Sequence, residues 1–114
     1  MIKFRFQDLK IWQSAIKIAH ELFDIADILE NKRLYRFAEQ LRGSAMSMSN
    51  NIAEGSGSSS KKEFKQFLNI AKRSTFENAN ILIILEQREL ISQDSLDKLL
   101  DQLEFFGIWN LFEI

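Results

Sequence analysis

The 114-residue chain contains no proline, and its apolar residues recur at intervals of three and four positions. Proline interrupts helices because it lacks a backbone N–H donor and clashes with the preceding turn. Apolar residues at intervals of three and four fall on one face of a helix, whereas a strand alternates with a period of two. The sequence therefore predicts an all-α fold.

The apolar pattern divides into four segments. We expect helices over about residues 9–29, 34–54 and 61–89, and a fourth helix after Ser92. The connections between them are short and polar, and short connections join antiparallel neighbours in helical bundles. The predicted architecture is a single domain, residues 1–114, folded as an antiparallel up-down four-helix bundle.

The residues at the predicted helix ends are typical of caps. Asp8 and Ser92 can accept hydrogen bonds from the free N–H groups that begin helices 1 and 4. Ser60 and Glu63 have the spacing of a capping box for helix 3. Gly55 stands where a glycine in the left-handed conformation would end helix 2. The apolar face of helix 4 consists of Leu96, Leu99, Leu100, Leu103, Phe106 and Trp109.

Helix 1 carries more apolar surface than one bundle core requires. One row is Leu9, Trp12, Ile16, Ala19, Phe23 and Ala26, and a second is Ile11, Ala15, Ile18, Leu22, Ile25 and Leu29. The two rows cover roughly 200° of the helix surface, while a bundle helix needs little more than about 100°. We expect the surplus to contact another copy of the chain, through Ile11, Ile18, Leu22 and Ile25.

The composition argues against several classes of function. The chain has no cysteine and a single histidine, His20, on the polar face of helix 1. It lacks paired Glu-x-x-His motifs, a phosphate-binding loop and a nucleophile–histidine arrangement. We therefore expect no catalytic residue, metal or cofactor. No apolar run approaches the ~20 residues of a membrane span, and MIKFRFQDLK lacks the core of a signal peptide, so we expect a cytoplasmic protein without membrane association.

Charge is unevenly distributed, although the net charge is only −1. Residues 1–73 contain thirteen Lys and Arg against eight Asp and Glu, a balance of +5, whereas residues 74–114 contain two against eight, a balance of −6. The candidates for nucleic-acid contacts are the basic residues of helices 2 and 3: Arg36, Arg42, Lys61, Lys62, Lys65, Lys72 and Arg73. Phe64 and Phe67 are assigned to the core, so no exposed aromatic is evident for base stacking. The alternative is an ordinary solvated face.

The stretch NNIAEG at residues 50–55 is unusual for the end of a helix. Asparagine is a poor residue for a helix interior, and Glu54 lies near the negative end of the helix dipole. Asn51 and Glu54 share one face, and Glu77 lies on the neighbouring helix. We predict a structural polar network of Asn51, Glu54 and Glu77 between helices 2 and 3, with a ligand site as the alternative.

Three segments of the chain are distinctive in combination. They are FQDLKIWQSA at residues 6–15, QLRGSAMSMSNNIAEGSG at 40–57 and KEFKQFLNIAKRSTFE at 62–77. The block N-I-A-E-G is followed by the pattern E-F-x-x-F-L-x-I-A-x-x-S-x-x-E. In these segments the chain resembles the four-helix-bundle proteins named for intervening sequences in bacterial 23S rRNA genes.

The resemblance implies an up-down bundle that assembles into a homopentameric ring. It also implies relatives that serve as accessory proteins of diversity-generating retroelements, which bind a reverse transcriptase and nucleic acid. Those relatives tend to be strongly basic, whereas this chain is close to neutral.

Two hypotheses for the function remain open. The first is a non-enzymatic homo-oligomer that binds RNA, or a nucleic-acid-processing protein, through the basic residues. The second is an oligomeric scaffold or protein–protein adaptor that does not bind nucleic acid. Binding to structured RNA that weakens steeply with salt would distinguish the first from the second.

Overall fold

The structure, a computed structural model, describes residues 3–112, with side chains through Phe106. A short 3₁₀ turn, Arg5–Asp8, precedes four helices: α1 (Lys10–Asn31), α2 (Tyr35–Ser56), α3 (Lys61–Gln87) and α4 (Gln93–Phe112). The all-α fold is confirmed, and the three predicted helix ranges are correct to within two residues at each end. The predicted core position of Trp109 lies outside the described side chains.

Contacts between α2 and α3 show that these two helices are antiparallel. Ser44 of α2 bonds to Asn78 of α3, and Ser47, three residues later, bonds to Ser74, four residues earlier. Paired positions that run in opposite sequence directions require antiparallel helices. α1 contacts both α2 and α4, and α3 likewise contacts α2 and α4, so the four helices form a closed bundle. No helix within residues 3–112 combines the length and apolar character needed to cross a membrane.

Serine caps begin α3 and α4, as predicted. The Ser60 hydroxyl accepts a hydrogen bond from the backbone N–H of Glu63 at 3.2 Å, and the Ser92 hydroxyl accepts one from Ser95 at 3.1 Å. Each bond satisfies an N–H group that has no partner inside its own helix. The start of α3 is therefore fixed at Lys61, which places the lysines that follow in the first turns of the helix.

The prediction that Asp8 caps α1 is wrong. Asp8 is the last residue of the 3₁₀ turn, and its carboxylate lies 2.8 Å from the Lys3 ammonium. Leu9 precedes α1 in an extended conformation and makes no side-chain cap. The turn instead packs onto the bundle through Arg5, which donates to the Ser56 carbonyl at 3.3 Å and lies 5.9 Å from the centre of the Phe64 ring.

Gly55 does not end α2 in the left-handed conformation, so that prediction is also wrong. The helix continues through Gly55 to Ser56, and no glycine in the described chain has a positive φ. A Cβ atom at Gly55 would lie 2.7 Å from the Cβ of Phe67 and 2.8 Å from Cδ1 of Phe64. Glycine is needed at this position because α3 approaches α2 too closely for any side chain.

Helices α1 and α3 end in the same way, although neither end contains a glycine. Arg33 and Glu89 adopt the left-handed conformation, with φ of 64° and 60°. In each case the N–H of the following leucine bonds to the carbonyl five residues earlier, at 2.9 and 2.8 Å. These are the bonds of the Schellman motif, in which a non-glycine residue at the left-handed position carries a steric cost of about 1–2 kcal/mol.

The second apolar row of α1 faces the core of the single chain. Ile11 and Leu22 are completely buried, and Ile18 is 4% exposed. The prediction that these three residues contact another copy is therefore wrong, because a buried side chain offers no surface to a partner. The spacing identified both apolar rows but not which row faces the neighbouring helices. Ile25 is half-buried, and its contact with another copy stays a prediction.

Candidate nucleic-acid interface

Five basic side chains lie along one outer face of α3. They are Lys61, Lys62, Lys65, Lys72 and Arg73, here termed the α3 basic strip. Four of them are exposed, and Lys72 is half-buried. At about 100° per residue, the five positions fall within an arc of about 120° on the helix surface. The single acidic residue of this segment, Glu63, lies outside the arc.

None of the α3 basic strip takes part in an ion pair among the described residues. The ion pairs of the described structure are Lys3–Asp8, Arg42–Asp27, Arg42–Glu30 and Lys98–Glu21. Lys61–Arg73 contains five basic residues and one acidic residue, a local charge of +4 in a chain of net charge −1. The strip therefore concentrates positive charge that no nearby carboxylate pairs with.

The two lysines at the start of α3 do not serve the stability of the helix. Lys61 and Lys62 lie in its first turn, where the positive end of the helix dipole disfavours a cation by about 0.3–1 kcal/mol. Acidic residues in the first turn, such as Glu63, interact favourably with the dipole and stabilise the helix. The arrangement is more readily explained by a requirement for positive surface charge.

Arg42, another of the candidates for nucleic-acid contacts, does not lie on the same surface as the strip. Its guanidinium faces α1, with Nη2 2.7 Å from Asp27 Oδ1 and Nη1 2.8 Å from Glu30 Oε1. The hydrogen bonds to Asp27 and then Glu30 raise the pKa of Arg42 above its ordinary value. Two carboxylates neutralise this cation, which instead links α1 to α2.

Arg36 is also separate from the strip, although it is exposed. It lines a shallow depression of about 280 Å³ between α2 and α3, together with Gln40, Glu77 and Asn80. Glu77 lies outside the arc of the strip and contributes a negative charge to the same depression. The structure therefore divides the predicted basic set into three places: the strip on α3, Arg36 in the α2/α3 depression, and Arg42 against α1.

A polar network does join α2 to α3, but its members differ from those predicted. Asn51 Nδ2 donates to the carbonyl and hydroxyl oxygens of Ser47, at 2.7 and 3.1 Å. The Ser74 hydroxyl bonds to the Ser47 hydroxyl at 2.7 Å. One turn away, the Ser44 hydroxyl donates to Asn78 Oδ1, and Asn78 Nδ2 donates back to the Ser44 carbonyl at 3.3 Å.

Glu54 and Glu77 do not belong to this network, contrary to the prediction. Both side chains are exposed, and neither makes a hydrogen bond or ion pair within the described part of the chain. Small hydroxyl and amide groups can pair where two helices approach closely, whereas a buried carboxylate would require a compensating cation. The network is therefore neutral, and the carboxylates remain in solvent.

The α2/α3 surface opens into a second shallow depression beside the network, of about 210 Å³. Its lining consists of Glu39, Gln40, Gly43, Ser44, Ser47 and Glu77. Across the described residues, no group of three His, Cys, Asp or Glu side chains is close enough to hold a metal ion. The local geometry therefore identifies neither a metal centre nor an enclosed cofactor pocket at this surface.

Phe76 is a surface aromatic that the sequence prediction missed. Its side chain is 66% exposed, and it lies one turn after Lys72 and Arg73 on the same side of α3. The sequence contained the signal, because Phe76 falls outside the apolar row of α3 that runs through Leu68, Ala71, Thr75 and Leu82. Phe64 and Phe67, which the sequence assigned to the core, are both half-buried.

Comparisons with known proteins agree with this bundle. A crystal structure of a protein with unknown function from the S23 ribosomal protein family of Bacteroides thetaiotaomicron VPI-5482 superimposes with a TM-score of 0.83 and 20% sequence identity. The match covers 89% of this chain and 94% of that chain, and at this identity it shows the fold. No curated protein matches the chain. The family model described as 23S rRNA-intervening sequence protein matches residues 7–107, and the chain therefore belongs to that family.

Proposed function

We propose that the chain binds RNA through the α3 basic strip and acts by binding rather than by catalysis. The observation that carries the proposal is the set of five cations on one face of α3, none of which has an ion-pair partner among the described side chains. Lysine and arginine side chains that contact phosphates release condensed counterions, which is a major source of affinity for nucleic acids. Membership of a family named for 23S rRNA supports RNA as the polyanion.

The proposal includes self-association into a homo-oligomer, with five copies as the number that the family resemblance implies. A ring would repeat the strip around its axis, so weak phosphate contacts would act together. Because Ile11, Ile18 and Leu22 belong to the core, the apolar surface for this contact must come from exposed residues. Tyr35 and Met46 of α2 are 57% and 47% exposed and are candidates.

A protein adaptor that does not bind nucleic acid is the second candidate function. The same exposed apolar side chains favour it, because surface apolar residues are common where proteins meet. An adaptor would use these residues to hold a partner protein, and the strip would be an ordinary solvated face. The first candidate function predicts RNA binding that weakens with salt, whereas the second predicts no RNA binding at any salt concentration.

Electrophoretic mobility shift with a structured RNA tests the proposal. We expect binding at ~50 mM salt that weakens steeply by ~200 mM, as phosphate-driven binding does. The double variant Lys65→Ala/Lys72→Ala should bind more weakly at low salt and show a shallower salt dependence, because each lost phosphate contact reduces the slope by about 1.

Arg42→Ala is the matched control, since it removes a cation that is already neutralised by α1. We expect its affinity for RNA to equal that of the wild-type protein. Absence of a shift at ~50 mM salt would exclude the RNA function. Equal weakening by Arg42→Ala and by the double variant would show that the α3 basic strip is not the binding surface. Light scattering coupled to gel filtration measures the number of copies in the same samples.

A further inference from the structure

Phe76 is a large aromatic side chain on the outer surface of α3. It is 66% exposed, and it makes no ring contact with another aromatic within the described residues. Burial of a phenylalanine side chain stabilises a fold, and this position largely forgoes that stabilisation. Its location therefore requires an explanation other than core packing.

The α3 basic strip ends one turn before Phe76 on the helix surface. Lys72 and Arg73 precede it by four and three residues, so both side chains lie one turn away on the same side of α3. Measured around the helix axis, Phe76 falls near the middle of the arc of about 120° that contains all five cations. Along the axis, Lys61 to Phe76 spans about 22 Å. An aromatic side chain thus lies at the C-terminal end of a row of positive charges.

This arrangement suits unpaired nucleotides better than a duplex. Proteins that bind single strands combine a basic track for the phosphates with aromatic side chains on which bases stack. In an A-form duplex the bases stack on one another, and the deep major groove is closed to side chains. A phenylalanine on a convex helix surface could reach a base only where that base is splayed out of a helix.

We propose that the α3 basic strip and Phe76 form a binding site for single-stranded RNA, in which an unpaired base stacks on Phe76 and flanking phosphates contact Lys72 and Arg73. This inference rests on the proposed RNA-binding function and specifies the kind of RNA that the site takes. Loops, bulges and ends of structured RNA supply such nucleotides. The bases would be selected by their accessibility rather than by sequence, because every base has a face that can stack.

Fluorescence anisotropy with two labelled probes tests the inference at ~50 mM salt. One probe is an oligouridine of about ten nucleotides, and the other is a blunt RNA duplex of matched length. We expect the wild-type protein to prefer the single strand. Phe76→Ala should weaken oligouridine binding by about 5- to 150-fold, the loss expected for removal of one stacked base. Its affinity for the duplex should not change.

Salt dependence separates the two parts of the site. Phe76→Ala should lower the affinity for oligouridine without changing its salt slope, because stacking releases no counterions. Lys72→Ala should reduce the slope by roughly 0.7, the value for one phosphate contact on a single strand. Phe76→Trp should retain binding because it keeps a stacking surface. Phe105→Ala, which removes an exposed aromatic of α4 outside the strip, should leave binding unchanged.

Each alternative gives a different result. If wild-type protein binds neither probe, the RNA function itself fails. If it binds but Phe76→Ala matches it, or if the duplex binds as tightly as the single strand, only the stacking site is overturned. If Phe76→Ala changes the particle mass in light scattering, Phe76 contacts a protein surface and the inference is likewise overturned. Circular dichroism melting confirms that each variant is folded.

Discussion

Asn78 is completely buried between α2 and α3, where its amide exchanges two hydrogen bonds with Ser44. A buried amide without partners would be strongly unfavourable, so the pair must form whenever the two helices pack. A helix shifted by one residue would separate Asn78 from Ser44. At the scale of single residues, this pair fixes the register of α3 against α2.

We expect Asn78→Ala to lower the free energy of unfolding by about 2–4 kcal/mol. The substitution leaves the Ser44 carbonyl without its amide donor and opens a small cavity, and these losses add. Chemical denaturation monitored by circular dichroism measures the difference. Asn80→Ala, an exposed asparagine on the same helix, is the control and should change stability by less than about 0.5 kcal/mol. Equal effects of the two substitutions would contradict a register role for Asn78.

The sequence located a polar contact between these helices but named only one correct member. Asn51 was recognised because asparagine is unfavourable inside a helix. Ser44, Ser47 and Ser74 were not, because a serine in a helix can equally face solvent, bond its own backbone or cross to a neighbour. Which of these occurs depends on the distance between helices, and a pattern of residue types does not contain that distance.

At the scale of elements, Gly55 and Gly43 lie in the same helix but differ in the space available for a side chain. A Cβ at Gly55 would collide with Phe64 and Phe67, whereas a Cβ at Gly43 would meet no atom within 4 Å. Both residues are helical, so glycine weakens the helix by about 1 kcal/mol relative to alanine at each. Only at Gly55 does the close approach of α3 require glycine despite this loss of helix stability.

Gly55→Ala should therefore destabilise the protein by about 1–3 kcal/mol, because the clash with α3 exceeds the gain in helix propensity. Gly43→Ala should stabilise it by up to about 1 kcal/mol. Thermal melting of both variants beside the wild type gives the comparison. If both substitutions stabilise, the close approach at Gly55 is not present in solution.

The ends of α1 and α3 carry strain that a single substitution can relieve. Glu89→Gly should stabilise the protein by roughly 0–1 kcal/mol, because relief of the left-handed strain slightly exceeds the added freedom of the unfolded chain. Glu89→Ala removes the same carboxylate without relieving the strain, so it should give no comparable gain. A melting temperature raised equally in both variants would assign the effect to charge instead of backbone conformation.

The whole molecule is a bundle whose core is complete within one chain over the described residues. Leu22 is fully buried among apolar neighbours, so a carboxylate there would have no compensating partner. The sequence correctly predicted four helices and their bounds, because these follow from periodicity and short connections. The sequence could not show which apolar row of α1 faces the core, because that depends on where α2 and α4 pack against α1.

We expect Leu22→Asp to unfold the protein, with a loss exceeding about 4 kcal/mol. Far-UV circular dichroism should show reduced helix content. Met46→Asp, at a half-exposed position on α2, is the control and should keep the helical spectrum. A folded, monomeric Leu22→Asp variant would instead restore the idea that this row lies between copies.

The α3 basic strip, which forms no ion pair within the described part of the chain, also affects how the protein behaves on charged matrices. An isoelectric point of about 5.8 suggests that the protein should pass through a cation-exchange column at neutral pH. A sulfonated or heparin resin, however, binds the positive charge concentrated on one face, whatever the net charge of the whole molecule. The protein should therefore be retained on such a resin at low ionic strength. A purification planned from the isoelectric point alone would look for the protein in the flow-through, where it would be absent.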